Sequence, residues 1–186
     1  MTLPANLLAW PPSGLPLGSR PSLELELDGA GQAVGAVGVT RLRRPPTEVY
    51  AVVRDVARFG AEIPMIHHSR REGDRVTTDL KFKVALFSAR FSFTCDVLED
   101  PGHSADFRYV AGEPRDIRIR FDLMPLDDGA ATLVRCLLHF DVQSLGWLVK
   151  LFLRHHPEIR HGVYAGSVLV LLDALHAALG ERPSQR

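Results

Sequence analysis

The chain has 186 residues, of which 46% are hydrophobic and 24% charged, and its 22 Lys and Arg residues are balanced by 22 Asp and Glu residues. This length suits one domain with a full hydrophobic core. The zero net charge argues against a dedicated nucleic-acid binder, which carries a basic excess, and against a highly charged disordered chain. We therefore expect a soluble globular protein without a nucleic-acid partner.

Residues 1–34 are expected to form an N-terminal extension. Five prolines within the first 21 residues exclude a regular helix there, so this segment is either a disordered leader or a surface arm that Trp10 could anchor. Leucine and acidic residues then alternate over 22–28, which predicts a half-exposed strand. A glycine-rich strand over 35–43 could pair with it as a hairpin.

A helix is expected to begin at the Pro-Pro pair 45–46, because proline is favoured in the first turn of a helix. Valine residues at positions 49, 52, 53 and 56 repeat at helical spacing and lead to Phe59. Gly60 and Pro64 end this pattern. The sequence therefore predicts one helix of about ten residues, followed directly by a short second helix or a turn.

Between residues 65 and 142 hydrophobic residues alternate with polar ones, which is the pattern of strands with one buried face. Short turn sequences rich in Gly, Asp and Pro separate these strands. The pattern predicts an antiparallel meander with strands over 76–86, 91–97, 104–110, 117–123 and 134–142. Arg118, Arg120 and Arg135 have the opposite parity, so we expect them on the outer face, where Arg118 and Arg120 have acidic neighbours to pair with.

The end of the domain is expected to be one helical element over 146–180, followed by a tail at 181–186. Pro157 should kink or split this element near the His155-His156 pair. At about 100° per residue the helix presents one apolar stripe. The stripe consists of Phe152, His156, Ile159, Val163, Gly166, Val170, Ala174 and Ala177. The most apolar run, 162–172, is shorter than the roughly 20 residues that a bilayer span requires.

A curved antiparallel sheet with one dry face needs a cover, and the long C-terminal helix is the available element. One helix cannot fill the concave side of such a sheet with its own side chains. We therefore expect a cavity lined by apolar and aromatic groups, which suits an apolar ligand. The predicted fold class is α+β, with about seven strands wrapped on the long helix and two short helices after the first strand.

The order of these elements and the segment 43–71 carry a family resemblance. A proline-containing entry, a helix ending in Asp-x-x-x-aromatic and an acidic-apolar-Pro step correspond here to Pro46, Val49, Val53, Asp55, Phe59, Glu62, Ile63 and Pro64. The pattern resembles the helix-grip fold of the START and birch-pollen-allergen superfamily (SRPBCC), in particular its polyketide cyclase/dehydrase and coenzyme Q-binding branch. The resemblance covers 35–180 and implies a ligand-binding domain for lipids, quinones, isoprenoids or polyketide-like molecules, or a polyketide cyclase.

The predicted ligand-binding residues are the inward positions of the strands and the inner side of the helix. They are Thr78, Leu80, Phe82, Phe91, Phe93, Cys95, Tyr109, Ile119, Phe121, Leu138, Phe152, His156, Ile159, Val163 and Ser167. This wall has few titratable groups, which favours carriage of an apolar small molecule over acid-base catalysis. Two alternatives stay open: a cyclase or dehydratase acting in the same cavity, and a module with a filled cavity that binds a protein or the ribosome.

Motifs for catalysis or metal binding are not evident in the sequence. His67-His68 and His155-His156 are adjacent pairs whose side chains diverge, and no zinc-type spacing is present. Asp173 and His176 could bond across one helical turn, but no nucleophile accompanies them. We expect no cofactor, no metal ion and no dedicated catalytic residue, so an enzymatic role would rest on the shape of the pocket and its few polar groups.

Cellular location and further partners are inferred from three features. Cys95 and Cys136 each lie in an apolar strand, as buried free thiols would, and the first residues lack the basic start of a signal peptide. We therefore expect a cytoplasmic protein in a reducing compartment. The segment from Trp147 to Phe152, which includes Lys150, could touch a membrane transiently during ligand loading or could be an ordinary amphipathic core helix. The oligomeric state stays open.

Overall fold

The computed structural model describes residue 10, residues 21–84 and residues 87–181, without the side chains of 82–88 and 148. In this part of the chain, eight antiparallel strands form one curved sheet. The strands are β1 (Ser22–Leu27), β2 (Ala33–Leu42), β3 (Ile66–Glu72), β4 (Arg75–Val84), β5 (Phe87–Asp100), β6 (Ser104–Gly112), β7 (Arg115–Leu126) and β8 (Ala131–Asp141). Their order across the sheet is β1-β2-β8-β7-β6-β5-β4-β3. The predicted meander therefore runs from β3 to β8, and the hairpin of β1 and β2 joins it through pairing of β2 with β8.

Within the same residues the fold has four α-helices, α1 (Pro46–Arg54), α2 (Val56–Ala61), α3 (Trp147–His155) and α4 (Ile159–Ala178). Proline occupies the first turn of α1, as predicted. Asp55 separates α1 from α2 and caps α2, because its side chain accepts a hydrogen bond from the backbone N–H of Arg58 at 3.1 Å. The predicted α+β helix-grip fold is confirmed, and the sheet has eight strands rather than about seven; β3 is the strand for which the sequence predicted no range.

The C-terminal helical element is split at the place where Pro157 was expected to break it. α3 ends at His155 and α4 begins at Ile159, and between them His156 has φ −135° and ψ 67°, outside the helical range. The break resets the angular phase between the two helices, so the single stripe predicted through both is wrong. The buried side chains of α4 are instead Tyr164, Val168, Leu171, Leu172, Ala174, Leu175, His176 and Ala178.

Close packing of α4 against the sheet depends on one glycine. α4 lies along β2 and β8 and touches β1. A Cβ atom at Gly38 on β2 would lie 2.5 Å from Cγ1 of Val168 and 2.8 Å from Cδ1 of Leu172, both of which are completely buried. By length and composition alone α4 could also cross a membrane. In this fold its side chains form part of the hydrophobic core.

The outer face of the sheet carries the arginines that the alternation placed there. Asp106 and Asp122 on this face are nearly completely buried. Arg118 donates hydrogen bonds to both carboxylate oxygens of Asp106 at 2.8 and 2.9 Å, and Arg120 and Arg135 donate to Asp122 at 2.6–2.9 Å. Burial opposes ionisation of Asp106, but the hydrogen bonds from the guanidinium groups outweigh it and lower the pKa. The expected acidic partners of Arg118 and Arg120 are thus confirmed.

Trp10 lies on the same outer face. It packs beside a small cluster formed by Val39 and Leu133, and its ring covers the guanidinium of Arg135 at 5.0 Å from the centroid. These contacts tie Trp10 to the outer face, whereas the rest of the segment that it was expected to anchor, 1–9 and 11–20, lies outside the described residues.

Candidate ligand-binding site

The inner face of the sheet is apolar, as the alternation of residues predicted. Its side chains form one hydrophobic cluster with those of α1 and α4. Five of the predicted wall residues are buried there: Thr78, Phe93, Cys95, Phe121 and Leu138. The parity assigned to the strands is confirmed, because these residues are inside while the arginines of β7 and β8 lie outside.

A second group of predicted wall residues is only half-buried. It consists of Leu80, Phe91, Tyr109, Ile119, Val163 and Ser167. The strand register places Leu80 opposite Phe91, and Ile119 opposite Leu138 on the neighbouring strand. Four of the group, among them Tyr109 and Val163, pack directly against the core cluster and still reach solvent. They mark the part of the inner face that is open.

A third group of predicted residues does not face inward. Phe152 is 54% exposed and Ile159 is 42% exposed. His156 is also exposed, and its Nδ1 lies 3.2 Å from a carboxylate oxygen of Glu158. The break between α3 and α4 turns these three side chains away from the wall, so their inward placement is corrected. Phe82 lies outside the described side chains.

The helices cover the inner face unevenly. α4 packs on β1, β2 and β8, α1 packs on β6, β7 and β8, and α2 packs on β3. Among the described elements, β4 and β5 have no helix packed along them, yet Thr78, Phe93 and Cys95 on these strands are at most 7% exposed. These side chains are thus buried although no described helix lies along their strands.

One end of the inner face is solidly filled. Val49 and Val53 of α1 are completely buried, and the ring of Phe59 in α2 meets the ring of Phe121 edge-on with centroids 5.7 Å apart. Such aromatic pairs stabilise a core beyond the area they bury. These side chains therefore leave little room for a ligand at this end of the inner face.

Three hydroxyl groups of the inner face, those of Thr78, Tyr109 and Tyr164, have partners within the protein. Thr78 Oγ1 lies 3.1 Å from Oγ of Ser69, and Tyr109 donates a hydrogen bond to the carbonyl oxygen three residues later at 3.1 Å. Tyr164 donates to a carbonyl oxygen of β8 at 2.6 Å, and burial raises its pKa. Tyr109, Tyr164 and His156 share no hydrogen-bond partner in the described part of the chain, so they do not form a joint polar centre.

A buried histidine of α4 lies within hydrogen-bonding distance of β2. Nε2 of His176 lies 2.9 Å from Oγ1 of Thr40 on β2, and both residues are at most 5% exposed. Burial lowers the pKa of His176, although the charges of Glu181 and Asp173 act in the opposite direction. The sequence allowed a bond between His176 and Asp173 across one turn, but in the described structure the ring of His176 bonds to Thr40 and Asp173 is exposed. The alternation of residues along β2 could have indicated this contact. Thr40 lies two residues after Gly38 and therefore faces the same inward side of the strand, toward α4.

Both cysteines are free and buried, and neither is an activated nucleophile. Burial raises the pKa of the Cys95 thiol to about 12 and also raises the pKa of Cys136. Both therefore stay protonated at neutral pH, whereas nucleophilic attack requires the thiolate.

The described residues contain no group of three or more His, Cys, Asp or Glu side chains arranged to hold a metal ion. The open part of the wall offers apolar surface and hydroxyl groups. Chemically, such a surface can bind an apolar molecule and orient it by a few hydrogen bonds.

Comparison with known proteins assigns this architecture to a family. The family described as polyketide cyclase / dehydrase and lipid transport matches residues 42–157, which is more than half of the chain. The chain belongs to this family. The match confirms the resemblance that the sequence suggested, and no curated protein matches the sequence.

Solved structures share the fold of this family member at low sequence identity. A protein called TTHA0849 from Thermus thermophilus is 15% identical, with a TM-score of 0.62, covering 77% of this chain and 94% of its own. A START superfamily protein from Mycobacterium smegmatis is 16% identical, with a TM-score of 0.56 and coverage of 78% and 93%. The Zhui aromatase/cyclase from Streptomyces sp. R1128 is 16% identical, with a TM-score of 0.50 and coverage of 79% and 98%.

Proposed function

We propose that the protein binds and carries an apolar small molecule, such as a lipid, quinone, isoprenoid or polyketide-like compound, against the inner face of its sheet. The observation that carries this proposal is the half-buried apolar group that includes Leu80, Tyr109 and Ile119. It lies beside strands along which no described helix packs. A ligand that covered these side chains would gain about 25 cal/mol for each Å² of apolar surface removed from water.

The family supports the same reading at a coarser level, since its description includes lipid transport. A reducing, cytoplasmic location is part of the proposal. It is supported by the two free cysteines, which lie buried in the core.

A cyclase or dehydratase is the second candidate, favoured by the family description and by the half-buried hydroxyl of Tyr109. The chemistry of the wall argues for the carrier, because the protonated thiols and the engaged tyrosine hydroxyls leave no general base among the predicted wall residues that face inward in the described structure, and the buried imidazole of His176 is occupied by Thr40. Catalysis would then depend on the pocket shaping a reactive substrate.

Substitutions that add a bulky side chain to the proposed site test ligand binding. Ile119→Trp adds bulk to the open part of the wall, and Leu98→Trp adds the same bulk on the outer side of β5, where Leu98 is 49% exposed. Titration with the neutral dye N-phenylnaphthylamine should give at least about tenfold weaker binding for Ile119→Trp and unchanged binding for Leu98→Trp. Equal binding by the two variants would contradict the proposed site. Native mass spectrometry of protein from its own host should show a bound lipid.

A second pair of variants separates carriage from catalysis. Tyr109→Phe removes only a hydroxyl, whereas Phe93→Ala removes a buried ring from the wall. If the protein is a carrier, ligand affinity responds to Phe93→Ala and hardly to Tyr109→Phe. If it is a cyclase, product formation from a polyketide substrate falls in Tyr109→Phe while binding is retained.

A further inference from the structure

The strongest feature that ligand binding leaves unexplained is the outer side of α3. Seven large hydrophobic residues are exposed in the described part of the chain, and four of them fall within 147–159. They are Trp147 at 75%, Leu151 at 45%, Phe152 at 54% and Ile159 at 42%. Exposed apolar residues that are scattered singly need no explanation, but a concentration within thirteen consecutive positions of one sequence segment points to a contact surface.

The helix geometry shows that these side chains are not core residues that happen to be loose. Leu153 is 5% exposed, and Val149 packs against the main cluster, so this side of α3 faces the core. Trp147 and Leu151 are four residues apart and therefore lie together on the other side of the helix. α3 thus has two apolar sides, and only one of them is covered in the described structure.

Basic residues flank the exposed apolar side. Lys150 and Arg154 are exposed, and neither forms an ion pair within the described residues. The nine residues of α3 contain no Asp or Glu. Exposed Trp, Leu and Phe beside unpaired Lys and Arg is the composition of helices that lie in the interface of an anionic membrane.

The exposed side of α3 is followed in the chain by residues of the predicted wall. Ile159, at the start of α4, is exposed, and Val163 one turn later on the same side is half-buried against the core. Along the chain, the exposed apolar residues of 147–159 are therefore followed within one helical turn by a half-buried residue of the predicted wall.

We propose that α3 docks the protein on the surface of an anionic lipid bilayer, with Trp147, Leu151 and Phe152 entering the interface and Lys150 and Arg154 contacting lipid headgroups. A second copy of this chain is a poorer occupant. In a two-fold symmetric dimer the same surfaces would meet, and the basic residues of α3 would face each other without acidic partners on that helix. Docking does not depend on the proposed ligand, whereas exchange of ligand with the docked bilayer rests on the proposed function.

Vesicle co-sedimentation of the full chain tests the docking. Wild-type protein should sediment with vesicles of phosphatidylcholine mixed with phosphatidylglycerol, should bind phosphatidylcholine alone weakly, and should be released by added salt. The double variants Trp147→Ala/Phe152→Ala and Lys150→Glu/Arg154→Glu should each lower the partition coefficient by at least about tenfold.

A matched charge reversal gives the control. Lys81→Glu/Arg90→Glu changes two exposed basic residues that face each other on β4 and β5, and it should leave the partition coefficient unchanged within about twofold. All variants should bind N-phenylnaphthylamine in solution like the wild type, so failure of docking is distinguishable from failure of ligand binding. The proposal is overturned if wild-type protein ignores anionic vesicles at low salt, if the control loses binding as strongly, or if sedimentation shows a dimer that the α3 variants abolish.

Discussion

Acidification should destabilise the folded protein through His176. This side chain is 5% exposed, and its Nε2 lies 2.9 Å from the hydroxyl of Thr40. Burial lowers its pKa below the usual value of 6.5, so the unfolded chain binds the proton more tightly than the folded one. The free energy of unfolding should therefore fall as the pH falls through 6.5 and should level off below the folded pKa.

The size of the effect is bounded by one proton. A single group contributes a slope of at most about 1.4 kcal/mol per pH unit between its unfolded and folded pKa values. Two negative charges favour protonation of His176: the carboxylate of Glu181, which lies 3.7 Å from Nδ1 of His176, and that of Asp173. They bring the pKa of the folded state closer to that of the unfolded state. Desolvation remains the largest effect, so the direction of the slope is set by burial.

Urea unfolding between about pH 5 and pH 7.5 measures this slope. His176→Gln keeps hydrogen-bonding capacity toward Thr40 but cannot titrate, so its curve should lack the histidine contribution while other groups cancel in the comparison. Thr40→Val leaves Nε2 without its partner and should cost about 1–3 kcal/mol at neutral pH while preserving the acid slope. Parallel stability curves for wild type and His176→Gln would refute the argument, because His176 would then titrate alike in both states.

Two further substitutions test the packing on either side of the sheet. Gly38→Ala would place a Cβ atom 2.5 Å from Cγ1 of Val168 and should destabilise the fold by about 1–3 kcal/mol in thermal or urea unfolding; a neutral result would show that α4 can move away freely. Asp122→Asn should cost about 3 kcal/mol, since it removes the charge of a carboxylate that is 5% exposed and pairs with Arg135, itself 12% exposed. The exposed ion pair between Asp96 and Arg75 is the control, and Asp96→Asn should cost less than about 1 kcal/mol. Equal losses at Asp122 and Asp96 would contradict the expected difference between a buried and an exposed ion pair.

The strands and the side that each residue faces were predictable because period-two alternation encodes both at once. Phe93 and Cys95 follow this pattern, as does Phe121 in β7, and all three are buried on the inner face. A shift of the alternation by one residue would have moved every side chain to the opposite face of the sheet. Agreement in several strands therefore supports the predicted inward and outward faces.

The helical side of the site was not predictable in the same way. α4 is apolar around most of its circumference, so its sequence contains no stripe that distinguishes the covered side. The predicted stripe runs through Pro157 at a constant 100° per residue, as in a continuous helix. The backbone of His156 is not helical, so the residues of α4 point in other directions than the stripe predicts. Ile159 was therefore placed inside although it is 42% exposed.

The burial of acidic residues on the outer face explains how one sheet can keep an apolar interior and a charged exterior. Asp106 and Asp122 alternate with inward residues of their strands, and each pairs with an arginine of its own strand and with an arginine of the next strand. Cross-strand pairing neutralises these charges on the outer surface. Because the same register that pairs Arg118 with Asp106 also turns Ile119 inward, the ionic outer face and the apolar wall specify one alignment of β6 to β8. The outer charges therefore fix the strands that carry the wall, and in the proposed carrier they would support ligand binding in this way.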